Sequence, residues 1–407
     1  MEKKEGIDII VEAMNQYLTH VVETTQFNLQ ELFNFMEPKF VEAGYRAQSN
    51  FGEKNNVLII HDAGAGDFVL QSAAIREIRR IYPDANITLV VTPPAAELAE
   101  CCPYVDELLI NNRQFDAENI LSVIQWNFEL ATNLLRKRFD ICYAFAYNFD
   151  TPILMYMSGA KNRVTTYPYN DVEDETFWIG KKNLPLAMSI NFATQIVPRY
   201  ENAHRVDLNL SLVDNTLHAP VSNRALEIWY TAYDFSVAKF LLQGTKDSVY
   251  ALSIVGGYPP EQYAKLVESV SKKETKTTFV IVGAGDEALK AVETFKDAVP
   301  RIYEKKIIDL TGKINYRQSA AILSLCDIYI GNAGDMMQIA AAMKCPVLAP
   351  CDFPEDKNYY PYGVPSVIVQ PEKGLMEIHI DPKILLKGFK QLKECIAKKI
   401  NEPIYIS

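Results

Sequence analysis

The sequence predicts an α/β protein built from two Rossmann-like domains. Each is a doubly wound parallel sheet, the two face a common cleft, and a helical extension precedes them. Three observations predict this. Short, continuous apolar runs alternate with amphipathic helical patterns, first from Asn56 onward and again from Val249 onward. Such runs suit parallel strands buried on both faces. Glycine-rich turns follow strands and open helices in both halves. The chain is 407 residues long, enough for two or three domains at roughly 150 residues each.

Composition narrows the function classes. Hydrophobic residues are 48% and charged residues 23%, the balance of a folded globular chain rather than a disordered one. The net charge of −10 lacks the basic footprint of general nucleic-acid binders. The seven cysteines are scattered and form no CxxC pair, and the five histidines show no HExxH spacing. Reduced thiols and no bound metal are therefore expected. No apolar run approaches the ~18 residues of a spanning helix, and the start shows no signal-peptide pattern, so a cytoplasmic protein is expected.

Residues 1–50 read as helical. Ile7, Ile10, Val11, Met14, Leu18, Val21 and Val22 recur at helical spacing, and Leu29, Leu32, Phe33 and Phe35 roughly repeat it. This segment suits a packing arm against the chain's own body. An oligomerisation element, or a peripheral contact with the inner membrane face, would use the same pattern. The first strand is Val57 to Ile60, followed by a turn through Gly64, Gly66 and Asp67 and a helix ending at Pro83. Further strands are expected at Ile87–Val91, Val105–Ile110 and Phe139–Ala144, and from Arg163. The second alternation places strands at Val249–Ile254, Thr278–Val282, Ile307–Leu310, Ile328–Ile330 and Pro346–Ala349. An amphipathic helix, Pro382 to Ile400, ends the pattern. The expected domains are 51–220 and 221–382, with 383–407 a helix and tail.

Ligands of open α/β sheets bind at the carboxyl ends of the strands. Three loops there invite attention. The turn Gly64-Ala65-Gly66-Asp67 has the first two glycines of a dinucleotide fingerprint, but Val69 stands where the third is needed. Asp67 reads either as a helix cap or as a catalytic base. Gly283 to Glu287 places Asp286 or Glu287 where a ribose hydroxyl could be accepted. Gly331 to Gln338 again joins a strand end to a helix start, a place suited to phosphate. For each of the last two, a turn without a ligand fits the spacing too.

Several motifs in order resemble glycosyltransferase family 9, the ADP-heptose:lipopolysaccharide heptosyltransferase group. They are Gly66-Asp67, Ala73-Ala74-Ile75-Arg76, Tyr82-Pro83-Asp84-Ala85, Cys102 to Glu107, Phe139-Asp140, Ser158 to Arg163, His204 to Leu210, Tyr258 to Tyr263 and Asp309 to Asp327. The resemblance implies a GT-B fold, with the last helix, 383–400, packing back near the domain junction. It implies inverting sugar transfer from a nucleoside-diphosphate sugar to a glycan, lipid-linked or protein acceptor, with no metal and no further cofactor. It places the acceptor base at Asp67. The donor would lie on the second domain against Ser253, Gly283, Glu287, Ile314, Ala333, Gly334, Asp335 and Gln338, with Gly64 and Gly66 facing it from the first.

The nucleotide loop departs from the family pattern. The family's D-[ST]-G-x-x-H is similar to Ala333-Gly334-Asp335-Met336-Met337-Gln338, without its aspartate and histidine. Gly256 stands where a basic residue usually precedes the W-P motif. Three readings follow: a different nucleotide-sugar, a diphosphate held by backbone amides and another cation such as Lys313 or Arg317, or a non-catalytic scaffold that binds a nucleotide-sugar. An epimerase of the same fold is a further alternative.

Overall fold

The computed structural model describes residues 6–24, 29–46, 55–112, 120–145, 151–166, 176–179, 182–185, 192–197, 203–217, 220–245, 248–255, 257–351, 357–372 and 375–407. Gly256 and parts of the helical extension lie outside the described residues.

Two helices, α1 (Gly6–Thr24) and α2 (Leu29–Glu42), open the chain. The first domain follows: β1 (Asn56–His61), α3 (Ala65–Ile81), β2 (Asn86–Val91), α4 (Pro93–Ala99), β3 (Glu107–Ile110), α5 (Ile120–Leu135), β4 (Ile141–Ala144), α6 (Thr151–Met157) and β5 (Asn162–Thr166). A hairpin of β6 (Thr176–Ile179) and β7 (Lys182–Pro185) intervenes before β8 (Gln195–Val197) and α7 (Arg205–Leu217). The second domain runs through α8 (Ala232–Leu241), β9 (Ser248–Ser253), α9 (Pro260–Lys273), β10 (Thr277–Ile281), α10 (Asp286–Ala298), β11 (Ile307–Asp309), α11 (Tyr316–Leu323), β12 (Ile328–Gly331), α12 (Asp335–Ala342), β13 (Val347–Pro350), β14 (Ser366–Val369), α13 (Pro382–Lys398) and β15 (Pro403–Ile406).

Each domain is one parallel sheet. The first has the order β3-β2-β1-β4-β5-β8 and the second β11-β10-β9-β12-β13-β14-β15. In both, the first strand of the domain is central and the order reverses beside it. That reversal opens a crevice at the strands' carboxyl ends, where ligands of such sheets sit. The central strands are apolar along their middles because helices cover both faces: Val57 to Ile60 are fully buried.

The extension packs on the chain's own body. Ile10, Met14, Tyr17, Leu32, Met36 and Phe40 share a core with Leu58, Ile60, Phe128 and Tyr156 of the first domain. The terminal helix corrects an expectation. We expected α13 near the domain junction, but Leu385, Phe389 and Leu392 pack into the second domain's core with Tyr250 and Phe279. The chain then adds β15 beside β14, so the tail completes the second sheet. No helix among the described residues is long and apolar enough to cross a membrane.

Candidate active site

Two helix starts meet at the cleft, and both lack a cap of their own. The N-cap of α3 is Gly64 and the N-cap of α12 is Gly334, neither of which offers a side chain. A helix start leaves amides without intrahelical partners. Here the missing cap of α3 comes from the other domain. Asp335 Oδ1 accepts from the Gly66 amide at 2.7 Å, and its Oδ2 accepts from the Tyr316 hydroxyl at 2.9 Å. The reverse exchange occurs nearby. Glu97 on α4 of the first domain accepts from the Tyr316 amide at 2.9 Å, at the first turn of α11. So each domain lends a carboxylate to a helix start of the other.

The approach is close. A methyl group on Gly66 would lie 2.7 Å from Asp335 Oδ1, 3.1 Å from its Cα and 3.0 Å from the Tyr359 hydroxyl. At Gly331 a Cβ would meet the Tyr329 hydroxyl at 2.6 Å and the Ser253 Cβ at 2.8 Å. Only glycine fits these two positions without movement.

Asp67 lies one residue beyond this contact, in the first turn of α3. Its carboxylate does not cap the helix. Instead Oδ1 accepts from Arg205 Nη1 at 3.0 Å, and a quarter of each side chain remains exposed. Burial, and then the charges of Asp67 and Asp335, raise the Tyr359 phenol above its usual pKa. Behind Asp67, His61 is fully enclosed: its Nε2 donates to the Gly64 carbonyl at 3.1 Å, and its Nδ1 pairs with the Gln71 side-chain amide at 2.9 Å. Burial lowers its pKa, so the ring is neutral.

On the second-domain side lies a cavity of about 450 Å³. Among the residues expected from sequence, Ser253, Gly283, Ile314, Ala333, Gly334 and Asp335 line it. Glu287 does not: it is exposed in the first turn of α10. Gln338 is buried behind the wall, where its amide donates to the Tyr359 carbonyl at 2.8 Å. Gly64, Gly66 and Asp67 belong to the facing domain and do not line the cavity; Gly66 touches it through Asp335, and Asp67 pairs with Arg205 instead. The two cations considered as substitutes are engaged elsewhere. Lys313 donates to the Asp309 carbonyl at 2.7 Å, and Arg317 pairs with Glu100 and, at 3.4 Å, with Asp234. Sequence reasoning missed Glu97, Asn315, Tyr316, Ser319 and Tyr329 of the lining, and Arg205 beside Asp67. Of these, Asn315 had a readable signal, the N-x-x-Q capping box with Gln318.

Comparison with known proteins fits this geometry. The sequence model of glycosyltransferase family 9 (heptosyltransferase) matches residues 251–363. That span holds every second-domain wall of the cavity. The chain carries a glycosyltransferase family 9 domain. It is 20% identical over 309 residues to lipopolysaccharide heptosyltransferase 2 of Escherichia coli, covering 72% of this chain and 81% of that protein. It is also 26% identical over 108 residues to a Haemophilus influenzae protein described as a glycosyltransferase; that match spans only 29% of the relative's length and 26% of this chain. Among solved structures, a glycosyl transferase family 9 protein of Veillonella parvula superposes with a TM-score of 0.68 at 17% identity, covering 83% of this chain and 97% of the other. At that identity the likeness establishes the shared GT-B fold. The family 9 domain departs from its pattern within the α12 turn, where Asp335 makes the contact just described.

Proposed function

We propose that the protein is an inverting glycosyltransferase that moves a sugar, heptose or a relative of it, from a nucleotide-sugar to a glycan of lipopolysaccharide type. One observation carries this reading: Asp67 lies in the first turn of α3, one residue beyond the Gly66–Asp335 contact that joins the first domain to a residue lining the cavity of the family 9 domain. The donor's nucleoside part occupies that cavity, with Ile314 against the base. The acceptor enters from the first domain. Its hydroxyl oxygen attacks the anomeric carbon, the bond from that carbon to the phosphate oxygen breaks, and the hydroxyl proton passes to Asp67. Arg205 holds Asp67 Oδ1, which leaves Oδ2 to take the proton. General-base help of this kind contributes about 10²–10⁴ in rate. The reading includes no metal ion, so transfer continues in the presence of a chelator.

The test has two stages. A thermal-shift screen against a nucleotide-sugar panel identifies the donor, because a ligand bound only by the native state raises the melting temperature. Asp67→Asn is then compared with the parent. The expected result is a transfer rate lower by about 10²–10⁴ with donor affinity nearly unchanged. Near-parental transfer by Asp67→Asn would refute the catalytic role. A second reading, a scaffold that binds a nucleotide-sugar without turnover, is favoured by one observation: among the described residues, no Lys, Arg or His lines the cavity. Binding without turnover in the parent would select it.

A further inference from the structure

The cavity's charge is the feature that the proposed function leaves unexplained. Its charged lining residues are Glu97 and Asp335, both acidic. A leaving group with two phosphates would enter as a polyanion, and would meet these carboxylates with no cation among the described lining residues to offset them. The position of Asp335 sharpens the conflict. Its two oxygens take the Gly66 amide and the Tyr316 hydroxyl. An amide at a helix start and a phenol hydroxyl are the donors that a ligand phosphate oxygen would seek. Tyr316 remains a donor at neutral pH, since burial and the Asp335 charge raise its pKa. The backbone beside Asp335 is open: a side chain at Gly334 would meet nothing within 4 Å. The seat is reachable, and it is filled by the chain's own anion.

We propose that Asp335 sets the charge of the donor: its carboxylate holds the seat of a phosphate group, so the cavity binds the nucleoside part of a ligand and discriminates against a second phosphate. This rests on the reading of the cavity as a nucleotide-sugar site and narrows its substrate class to donors whose leaving group carries one phosphate rather than two. The phosphate that does bind must either share Tyr316 with Asp335 or lie on the side of the seat that Gly334 leaves open. Glu97 is a weaker contributor, because its carboxylate already accepts the α11 amide.

The experiment measures dissociation constants for the nucleosides, 5′-monophosphates and 5′-diphosphates of adenine, uracil, guanine and cytosine. The proteins are the full-length parent, Asp335→Asn and Asp335→Ser, at one ionic strength. The readout is the ratio of diphosphate to nucleoside affinity for whichever base binds. Removing a carboxylate at contact distance should raise that ratio by about 10- to 100-fold, with nucleoside affinity changing much less. The gain should shrink at high salt. Asn and Ser both serve near a helix start, and the melting temperature of each unliganded variant establishes that it is folded. If a base binds but the ratio is the same in parent and both variants, Asp335 does not select charge, and the nucleotide reading stands without it. If no nucleoside or nucleotide binds any of the three proteins, the cavity is not a nucleotide site and both the reading and this inference fall.

Discussion

Acidification should unfasten the two domains at His204. This residue precedes α7 and packs across the cleft on the second domain, its ring 4.5 Å from Tyr360 and 4.7 Å from Tyr362. Its Nδ1 accepts from the Val206 amide at 3.1 Å, so Nε2 must carry the proton that goes to the Tyr360 carbonyl at 2.9 Å. Both nitrogens are therefore committed in the neutral ring, and a second proton on Nδ1 would face an N–H. Burial, the largest cause, pushes the His204 pKa down to about 4 from the ordinary 6.5. Of the charged groups facing it, Asp207 opposes that shift and Arg205 adds to it. The sign follows from linkage. The unfolded chain takes up a proton near pH 6.5 and the folded chain only near 4, so the stability is complete above 6.5 and is lost as pH falls between those values. The full shift of about 2.5 units corresponds to roughly 3 kcal/mol, of which about 2 kcal/mol is gone by pH 5. The assay is urea unfolding followed by tryptophan fluorescence at pH 7 and pH 5, for the parent and His204→Gln. Glutamine can accept from Val206 and donate to Tyr360 but does not titrate. The buried His61 and the paired carboxylates affect both proteins alike and drop out of the difference. The parent should lose about 2 kcal/mol more than His204→Gln on acidification. Equal losses would show that His204 is not the titrating clasp.

Two glycines give further tests. Gly66→Ala sets helix propensity, which favours alanine by about 1 kcal/mol, against a Cβ placed 3.1 Å from the Asp335 Cα and 2.7 Å from its Oδ1. Because a backbone atom is among the obstacles, the clash should prevail, with a net loss of about 1–3 kcal/mol and a larger radius of gyration by X-ray scattering; a stabilised variant of parental size would contradict the interdomain contact. Gly334→Val should cost no more than the ~1 kcal/mol of a poorer N-cap, since its backbone is extended and nothing lies within 4 Å of the added carbon. The side chain should nonetheless obstruct the cavity and weaken nucleoside binding measured by calorimetry, and unchanged affinity would move the site elsewhere.

The fold was legible where burial is continuous. Val57–Ile60, Ile87–Val91 and Ile328–Ile330 are buried on both faces and, Thr88 apart, built from hydrophobic residues, because helices cover both faces, and that pattern needs no distant information. The outer strands gave less signal. β8 has three residues, and β15 is half-buried along its whole length, as its place at the sheet edge allows. Placing the terminal helix at the junction followed from resemblance, while its actual seat depends on β15 extending the second sheet.

The candidate site divides along the same line. Ser253, Gly283, Ala333 and Gly334 were readable because a strand end followed by glycine is a local pattern. The reciprocal caps were not, because Asp335 and Gly66 are 269 residues apart and Glu97 and Tyr316 are 219 apart. Still, the sequence contained half of that information. A glycine at the N-cap of α3 and another at the N-cap of α12 announce helix starts with no side chain to satisfy their amides. Two such starts at the carboxyl ends of two facing sheets require an outside acceptor. Here the chain supplies that acceptor to α3 itself, from the first residue of α12. A ligand phosphate seeking the same amide must therefore compete with a carboxylate that is already in place, and the outcome of that competition decides which donors the cleft can hold.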